Sequence, residues 1–186
     1  ANGRRLRLLR LEPAPSAYPS PGMSADGRWL AGEVSEGKFG IWEASSGRLR
    51  QSFKLRAAAW EFSPDNRKLA VLNEETHQAL VFDLENWSWS AGLSLWVSAS
   101  LCFSPDSRLL AVAQDHGTVA LINLADGRQT ASLAGHRSMI LSMAFSPDGA
   151  RLATGSLDDV VALWHLPAQR DVAAYPTPHP VHGLVF

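Results

Sequence analysis

The sequence predicts an all-β fold made of one unit repeated four times, and three observations carry that prediction. First, "SADGRWLA" at 24–31 recurs as "SPDNRKLA" at 63–70, "SPDSRLLA" at 104–111 and "SPDGARLA" at 146–153. The aspartates of these segments, Asp26, Asp65, Asp106 and Asp148, are spaced by 39, 41 and 42 residues. Second, sixteen or seventeen residues after each aspartate comes the second member of an apolar pair: Ile41-Trp42, Val81-Phe82, Leu121-Ile122 and Leu163-Trp164. Third, apolar residues alternate over short runs and no segment carries a helical apolar stripe of useful length.

Each copy divides in the same order. An alternating run such as "ILSMAF" is a first strand, and the Ser-Pro-Asp-Gly type of segment after it is a tight turn. There proline presets φ, and Asp and Gly complete the reversal. "RLATGS" then reads as a second strand, "VVALWH" as a third, and "SSGRLRQSF" and "ADGRQTASL" as turns leading into a fourth. Strands are therefore expected near 30–34, 40–43, 69–72, 80–83, 110–113, 119–123, 152–155 and 161–165. Four short antiparallel strands recurring about every 40 residues are the signature of β-propeller blades. The expected divisions are 1–22 as the end of a preceding blade and a Pro-rich connection, 23–54, 55–96, 97–136 and 137–179 as four blades, and 180–186 as the first strand of another. With a spare third strand at one end and a spare first strand at the other, the four are expected to form an open arc of a larger ring of about seven blades, although propellers of four are known. Leu6, Leu8, Leu184 and Phe186 would lie on its uncovered faces, to be met by further blades or by self-association.

"AGH" at 134–136, "FSPDG" at 145–149, "ATGSLDD" at 153–159 and "ALWHL" at 162–166 resemble the WD-repeat β-propellers. The resemblance spans residues 23–175 and is most specific in the last copy. The Trp-Asp pair that names the family occurs nowhere; the copies end in Trp42-Glu43, Phe82-Asp83, Ile122-Asn123 and Trp164-His165. "SADGRWLAGEVSEGKFGIWEASSG" is also similar to the repeats of TolB-like propellers.

His136, Ser156 and Asp158 invite a catalytic reading, since serine, histidine and aspartate can form a hydrolytic triad. No nucleophile-elbow motif or Gly-rich oxyanion loop accompanies Ser156. The resemblance implies a structural role instead: a hydrogen-bonded set of His136, Ser156, Asp158 and Trp164, in which the serine links the histidine to the tryptophan N–H. Buried polar groups are costly unless satisfied together, so such a set fixes loop and strands in one arrangement. Glu36, Thr76 and His116 occupy the Asp158 position in the other copies.

Seventeen Lys and Arg against 18 Asp and Glu leave no global bias toward nucleic acid or an anionic membrane. Arg4, Arg5, Arg7 and Arg10 alternate with leucines and read as the solvated face of a strand. The single cysteine, Cys102, cannot form an internal disulfide, which suits a reducing, cytoplasmic setting; with no Met at the start, a leader could precede this segment and place it outside the cytoplasm. Cys102 reads as a buried small side chain in a first strand. His179 and His182 lack carboxylate or cysteine companions, so neither a metal nor a cofactor is expected. Trp87 and Trp89 are expected on one face of an outer strand.

The turns between second and third strands hold Glu33, Glu36, Glu74, Glu75, Asp115, Asp158 and Asp159, against Lys38. Converging on one propeller face, they would make a negative rim suited to a basic protein or peptide. Trp29, at a position of mixed polarity, is added as a partly exposed contact. The expected function is thus a non-catalytic protein-interaction scaffold. The alternative is a regulatory or substrate-recruiting propeller attached to a kinase, peptidase or signalling NTPase domain outside this segment.

Overall fold

The computed structural model describes residues 11, 21–35, 37–90, 97–166, 170–177, 180 and 184. The chain divides into two compact units, Ala1–Ala57 and Ala58–Phe186. Four antiparallel sheets of four strands account for the described residues, each a simple up-and-down meander. In the first unit β1 (Gly22–Met23), β2 (Trp29–Ser35), β3 (Lys38–Glu43) and β4 (Leu49–Phe53) form one sheet. In the second, β5 (Ala57–Phe62, its first residue the last of the first unit), β6 (Lys68–Asn73), β7 (Gln78–Asp83) and β8 (Ser88–Trp89) form another. A third holds β9 (Val97–Phe103), β10 (Leu109–Gln114), β11 (Thr118–Asn123) and β12 (Gln129–Ala134). The last holds β13 (Ile140–Phe145), β14 (Arg151–Ser156), β15 (Val160–His165) and β16 (Arg170–Pro176). These are propeller blades, and all eight strand segments expected from the repeat lie within observed strands.

The repeated Ser-Xaa-Asp segment owes its recurrence to a hydrogen-bonded turn. Each of its serines, Ser24, Ser63, Ser104 and Ser146, is buried. Each donates its hydroxyl to the aspartate two residues on, at 2.5–2.6 Å. The same oxygen accepts from the backbone N–H five residues on, at 2.9 Å in every copy. The aspartate in turn accepts from the N–H two residues beyond it, at 3.0–3.1 Å. The serine hydroxyl first, then these N–H groups, hold the carboxyls of Asp26, Asp106 and Asp148 below the ordinary carboxylate range. The residue after each aspartate has φ between 59° and 70°, which explains why Gly27, Asn66, Ser107 and Gly149 vary only among small residues that tolerate the left-handed region.

The apolar pair sits at a second recurring device. The register of third against fourth strand shifts between Ile41 and Trp42, between Leu121 and Ile122, and between Leu163 and Trp164. Such a bulge strengthens the local twist. In the second sheet, where β8 is short, Ser90 supplies both its N–H and its hydroxyl to the Val81 carbonyl, each at 2.8 Å.

Packing between sheets explains the near-continuous apolar runs in the second unit. One face of β6 and β7 (Ala70, Leu72, Ala79, Val81) meets Leu101, Phe103, Leu110, Val112, Ala120 and Ile122 of the third sheet. The other face of that sheet, with Ala111, Ala113, Val119, Leu121 and Leu133, meets Ile140, Met143, Leu152, Ala162 and Trp164. Successive residues of "LLAVA" therefore point into two different cores, so alternation is lost where both faces are covered. Each fully buried Leu, Val or Ile contributes about 1.5–3 kcal/mol relative to exposure.

Three sequence expectations change or fall outside this description. Trp87 is not in the outer strand: it stands in the turn before β8 with φ 53°, and its ring meets Phe82 edge-on at 5.8 Å, while Trp89 does so at 5.0 Å. The chain reverses at 84–87, leaving only two residues for β8. Gly22, expected in the connection, belongs to β1. Leu6, Leu8 and Phe186 lie outside the described residues, as do His179 and His182; Leu184 is half-buried.

Candidate functional site

The polar set forms where β12 leaves the third sheet and the chain enters the fourth. His136 is held there with its side chain 1% exposed. Its Nδ1 lies 3.1 Å from both oxygens of Asp158, in the β14–β15 turn. Its Nε2 lies 2.7 Å from Thr154 Oγ1, and the same hydroxyl accepts from Trp164 Nε1–H at 2.9 Å. One assignment of hydrogens uses every donor once. Trp164 donates to Thr154, Thr154 donates to His136 Nε2, and His136 Nδ1–H donates to Asp158. The carboxylate also accepts from Arg137 N–H at 2.7 Å and Val160 N–H at 3.2 Å. Burial pushes the Asp158 carboxyl up, but the Arg137 N–H and the His136 contact outweigh it and hold it below the usual range.

The bridge between histidine and tryptophan is therefore Thr154, not Ser156. The strand register gives the reason. Trp164 pairs with Leu152 across β14–β15. Thr154 is two residues from that pair, about 7 Å along the strand, and Ser156 is four, about 13 Å. Both face the same way, but only the nearer reaches the indole. Ser156 instead donates to the Ser138 carbonyl and accepts from Asp158 N–H, both at 3.2 Å. It ties the turn to the 136–138 loop. Threonine at 154 was the available signal, because the matching strand positions hold Gly32, Val71 and Val112. Thr154 and Ser156 are each 0% exposed and already bonded. Neither hydroxyl is presented to a substrate, as a nucleophile must be.

Other sheets fill the same space with apolar side chains. Trp42, Phe82 and Ile122 occupy the Trp164 position and are essentially fully buried.

The acidic residues distribute as follows. In the second unit the Ser-Pro-Asp turns adjoin at one end of the sheets: Ser107 Oγ accepts from Asp65 N–H at 3.1 Å. The β6–β7, β10–β11 and β14–β15 turns lie at the other end. There Glu74 and Glu75 are exposed, and Asn73 Oδ1 caps the N–H groups of Glu75 and Thr76 at 2.9 and 3.3 Å. Asp115 is exposed in a short 3₁₀ turn, Asp115–Gly117, and Asp159 is exposed with φ 59°. In the first unit Glu33 is half-buried in β2, and Glu36 lies outside the described residues.

Trp29 is not an exposed contact. It is 6% exposed, with the Arg28 guanidinium 4.8 Å from its ring centroid. It also opens β2 beside the Ser-Xaa-Asp turn, at the opposite end of the strand from Glu33. Sequence reading missed another pair instead. Met139 and Leu157 are 42% and 43% exposed, and the Leu157 N–H donates to the Met139 carbonyl at 2.9 Å. In "SMILSMAF" a methionine passes for core, whereas Leu157 in the turn "SLDD" is a leucine with no strand to place it inside. No group of three or more metal-ligating side chains occurs among the described residues.

Comparison with known proteins agrees with this geometry. The profile of the WD domain, G-beta repeat, matches residues 127–165, which contain the polar set. The chain is 29% identical over 154 residues to apoptotic protease-activating factor 1 of Danio rerio, covering 73% of this chain and 12% of that protein. It is 29% identical over 113 residues to the COMPASS component SWD3 of Saccharomyces cerevisiae, 59% of this chain and 35% of that one. It is 40% identical over 65 residues to the guanine nucleotide-binding protein subunit beta of Schizosaccharomyces pombe, 35% and 21% respectively. The chain thus spans between about an eighth and about a third of these relatives' lengths. The four sheets are β-propeller blades, and the repeat at 127–165 matches the WD domain, G-beta repeat.

Proposed function

We propose that the chain is a non-catalytic interaction module, and that the β10–β11 and β14–β15 turns bind a protein or peptide segment combining an apolar anchor with basic side chains. The observation that carries the reading is the exposed pair Met139 and Leu157 beside Asp159. Single exposed apolar residues are ordinary, but two bonded neighbours on a rigid turn offer an anchor point. At the same end of the sheets Asp115, Asp159, Glu74 and Glu75 outnumber Arg137, the exposed cation of the 135–139 loop. Charge of this sign would steer and orient a basic segment, while the apolar pair would supply affinity. The polar lock behind Asp158 keeps the turn in one conformation, so little ordering is required on binding.

Random dodecapeptides displayed on phage and selected on the full chain test this. Enriched peptides are expected to pair Lys or Arg with a large apolar residue. Their binding should weaken at least tenfold in Leu157→Asp, and its salt dependence should flatten in Asp115→Lys/Asp159→Lys. Enrichment of acidic peptides, or equal binding to all variants, would overturn the reading.

A further inference from the structure

At the Ser-Pro-Asp end of the second unit, opposite the loop face, lies a cleft of about 410 Å³. Pro64, Pro105 and Pro147, one from each consecutive turn, line it together with Phe103, Phe145 and Met143. Glu61 also lines it. It is the penultimate residue of β5, and its position in the repeat is filled in the third and fourth sheets by Cys102 and Ala144. The fold asks there for a small side chain, so a glutamate is not explained by packing.

Phe103 N–H donates to Glu61 Oε2 at 3.2 Å. Oε1 has no partner among the described residues. Glu61 is half-buried at an apolar cleft that water also reaches, and a cation beside its open oxygen adds a charge-assisted hydrogen bond there.

We propose that this cleft receives a lysine side chain of a partner protein, its ammonium on Glu61 Oε1 and its aliphatic stem against the proline and phenylalanine walls. With Oε2 already engaged, a compact ammonium fits the open oxygen better than the planar two-pronged guanidinium of arginine, which prefers both oxygens of a free carboxylate. Burial pushes the Glu61 carboxyl up to about 7, with the Phe103 N–H only partly opposing. Cys102 is the other titratable side chain on the cleft. Burial first, and then the Glu61 charge, raise its thiol well above the ordinary range, so it stays neutral and does not compete. The site is independent of the loop face: either can fail without the other.

The probe is n-butylammonium chloride, a lysine side chain without its backbone, titrated into the full chain while the Glu61 carboxyl is followed by carbon-13 NMR. Because the cation binds the ionised form, saturating butylammonium should lower the carboxyl midpoint by at least one pH unit. Affinity should rise about tenfold from pH 6 to pH 8 as the carboxylate ionises. n-Butanol should do neither, and tetramethylammonium chloride at equal ionic strength should leave the midpoint in place. Glu61→Gln, which keeps an acceptor for Phe103 N–H, should bind at least tenfold more weakly. Ala144→Leu, which fills the cleft and leaves the carboxylate untouched, should do the same. A midpoint that stays put with butylammonium, or moves equally with tetramethylammonium, would overturn the proposal. So would undiminished binding by Glu61→Gln.

Discussion

Replacing Gly117 with alanine is expected to destabilise the protein by about 2–4 kcal/mol, read as a lowered urea midpoint. Two effects combine at this position. The residue has φ 73°, a conformation that costs an L side chain on the order of 1 kcal/mol. A Cβ there would also lie 2.5 Å from the His136 carbonyl oxygen, 2.7 Å from its carbon and 2.8 Å from the Ser138 oxygen. These are backbone atoms of the loop that carries the polar set, so they cannot yield without pulling His136 from Asp158. Gly37→Ala is the control: its φ is 71°, yet nothing lies within 4 Å of its Cβ position. That substitution should cost only the conformational part, about 1 kcal/mol. Equal losses at the two sites would mean that the 115–117 turn does not press on the 136–138 loop.

Thr154→Val should cost about 2–4 kcal/mol, more than Ser156→Ala at about 1 kcal/mol. Valine matches threonine in shape, and Val71 and Val112 stand at this position in neighbouring sheets, so packing is preserved. What is lost is the hydroxyl that serves Trp164 Nε1–H and His136 Nε2 together. Both groups are then buried without a partner, and each carries its own desolvation penalty. Ser156→Ala removes one bond to the Ser138 carbonyl and the acceptor for Asp158 N–H, near the mouth of the turn. Chemical denaturation of the two variants ranks them directly. The reverse order would place the bridge at Ser156.

How far the sequence carried can be seen at these same residues. The blade order was legible because the turn and the apolar pair recur, and both recur for local reasons: a serine hydroxyl that closes a turn, and a bulge that shifts the outer strand. Those devices repeat within a few residues, so spacing alone exposes them. The identity of the bridging hydroxyl was not legible. Thr154 and Ser156 share a strand face, and choosing between them requires knowing that Leu152 is the partner of Trp164. Trp29 was misjudged and Leu157 passed over for a related reason. A side chain's exposure depends on what covers it, and the burial of Trp29 and the open space at Leu157 follow from the folded arrangement rather than from the residue types alone. Glu61 drew no notice because a charged residue in a short alternating strand reads as solvent-facing, whereas it is half-buried and bonded to Phe103 N–H of the neighbouring sheet.

The central claim is that serine, histidine and aspartate here serve a lock rather than a reaction, and a double-mutant cycle on His136 and Asp158 tests it most directly. His136→Ala, Asp158→Ala and the double variant would be compared by equilibrium urea denaturation at pH 7. There Asp158 is ionised in both folded and unfolded chains; its stabilising contribution, from a lowered folded pKa, is present above the unfolded value and lost as pH falls through the folded one. Each single variant is expected to lose about 1–3 kcal/mol, and the pair about 1 kcal/mol or more less than the sum. Losses that add within about 0.3 kcal/mol would show that the two side chains do not depend on each other, and would contradict the lock.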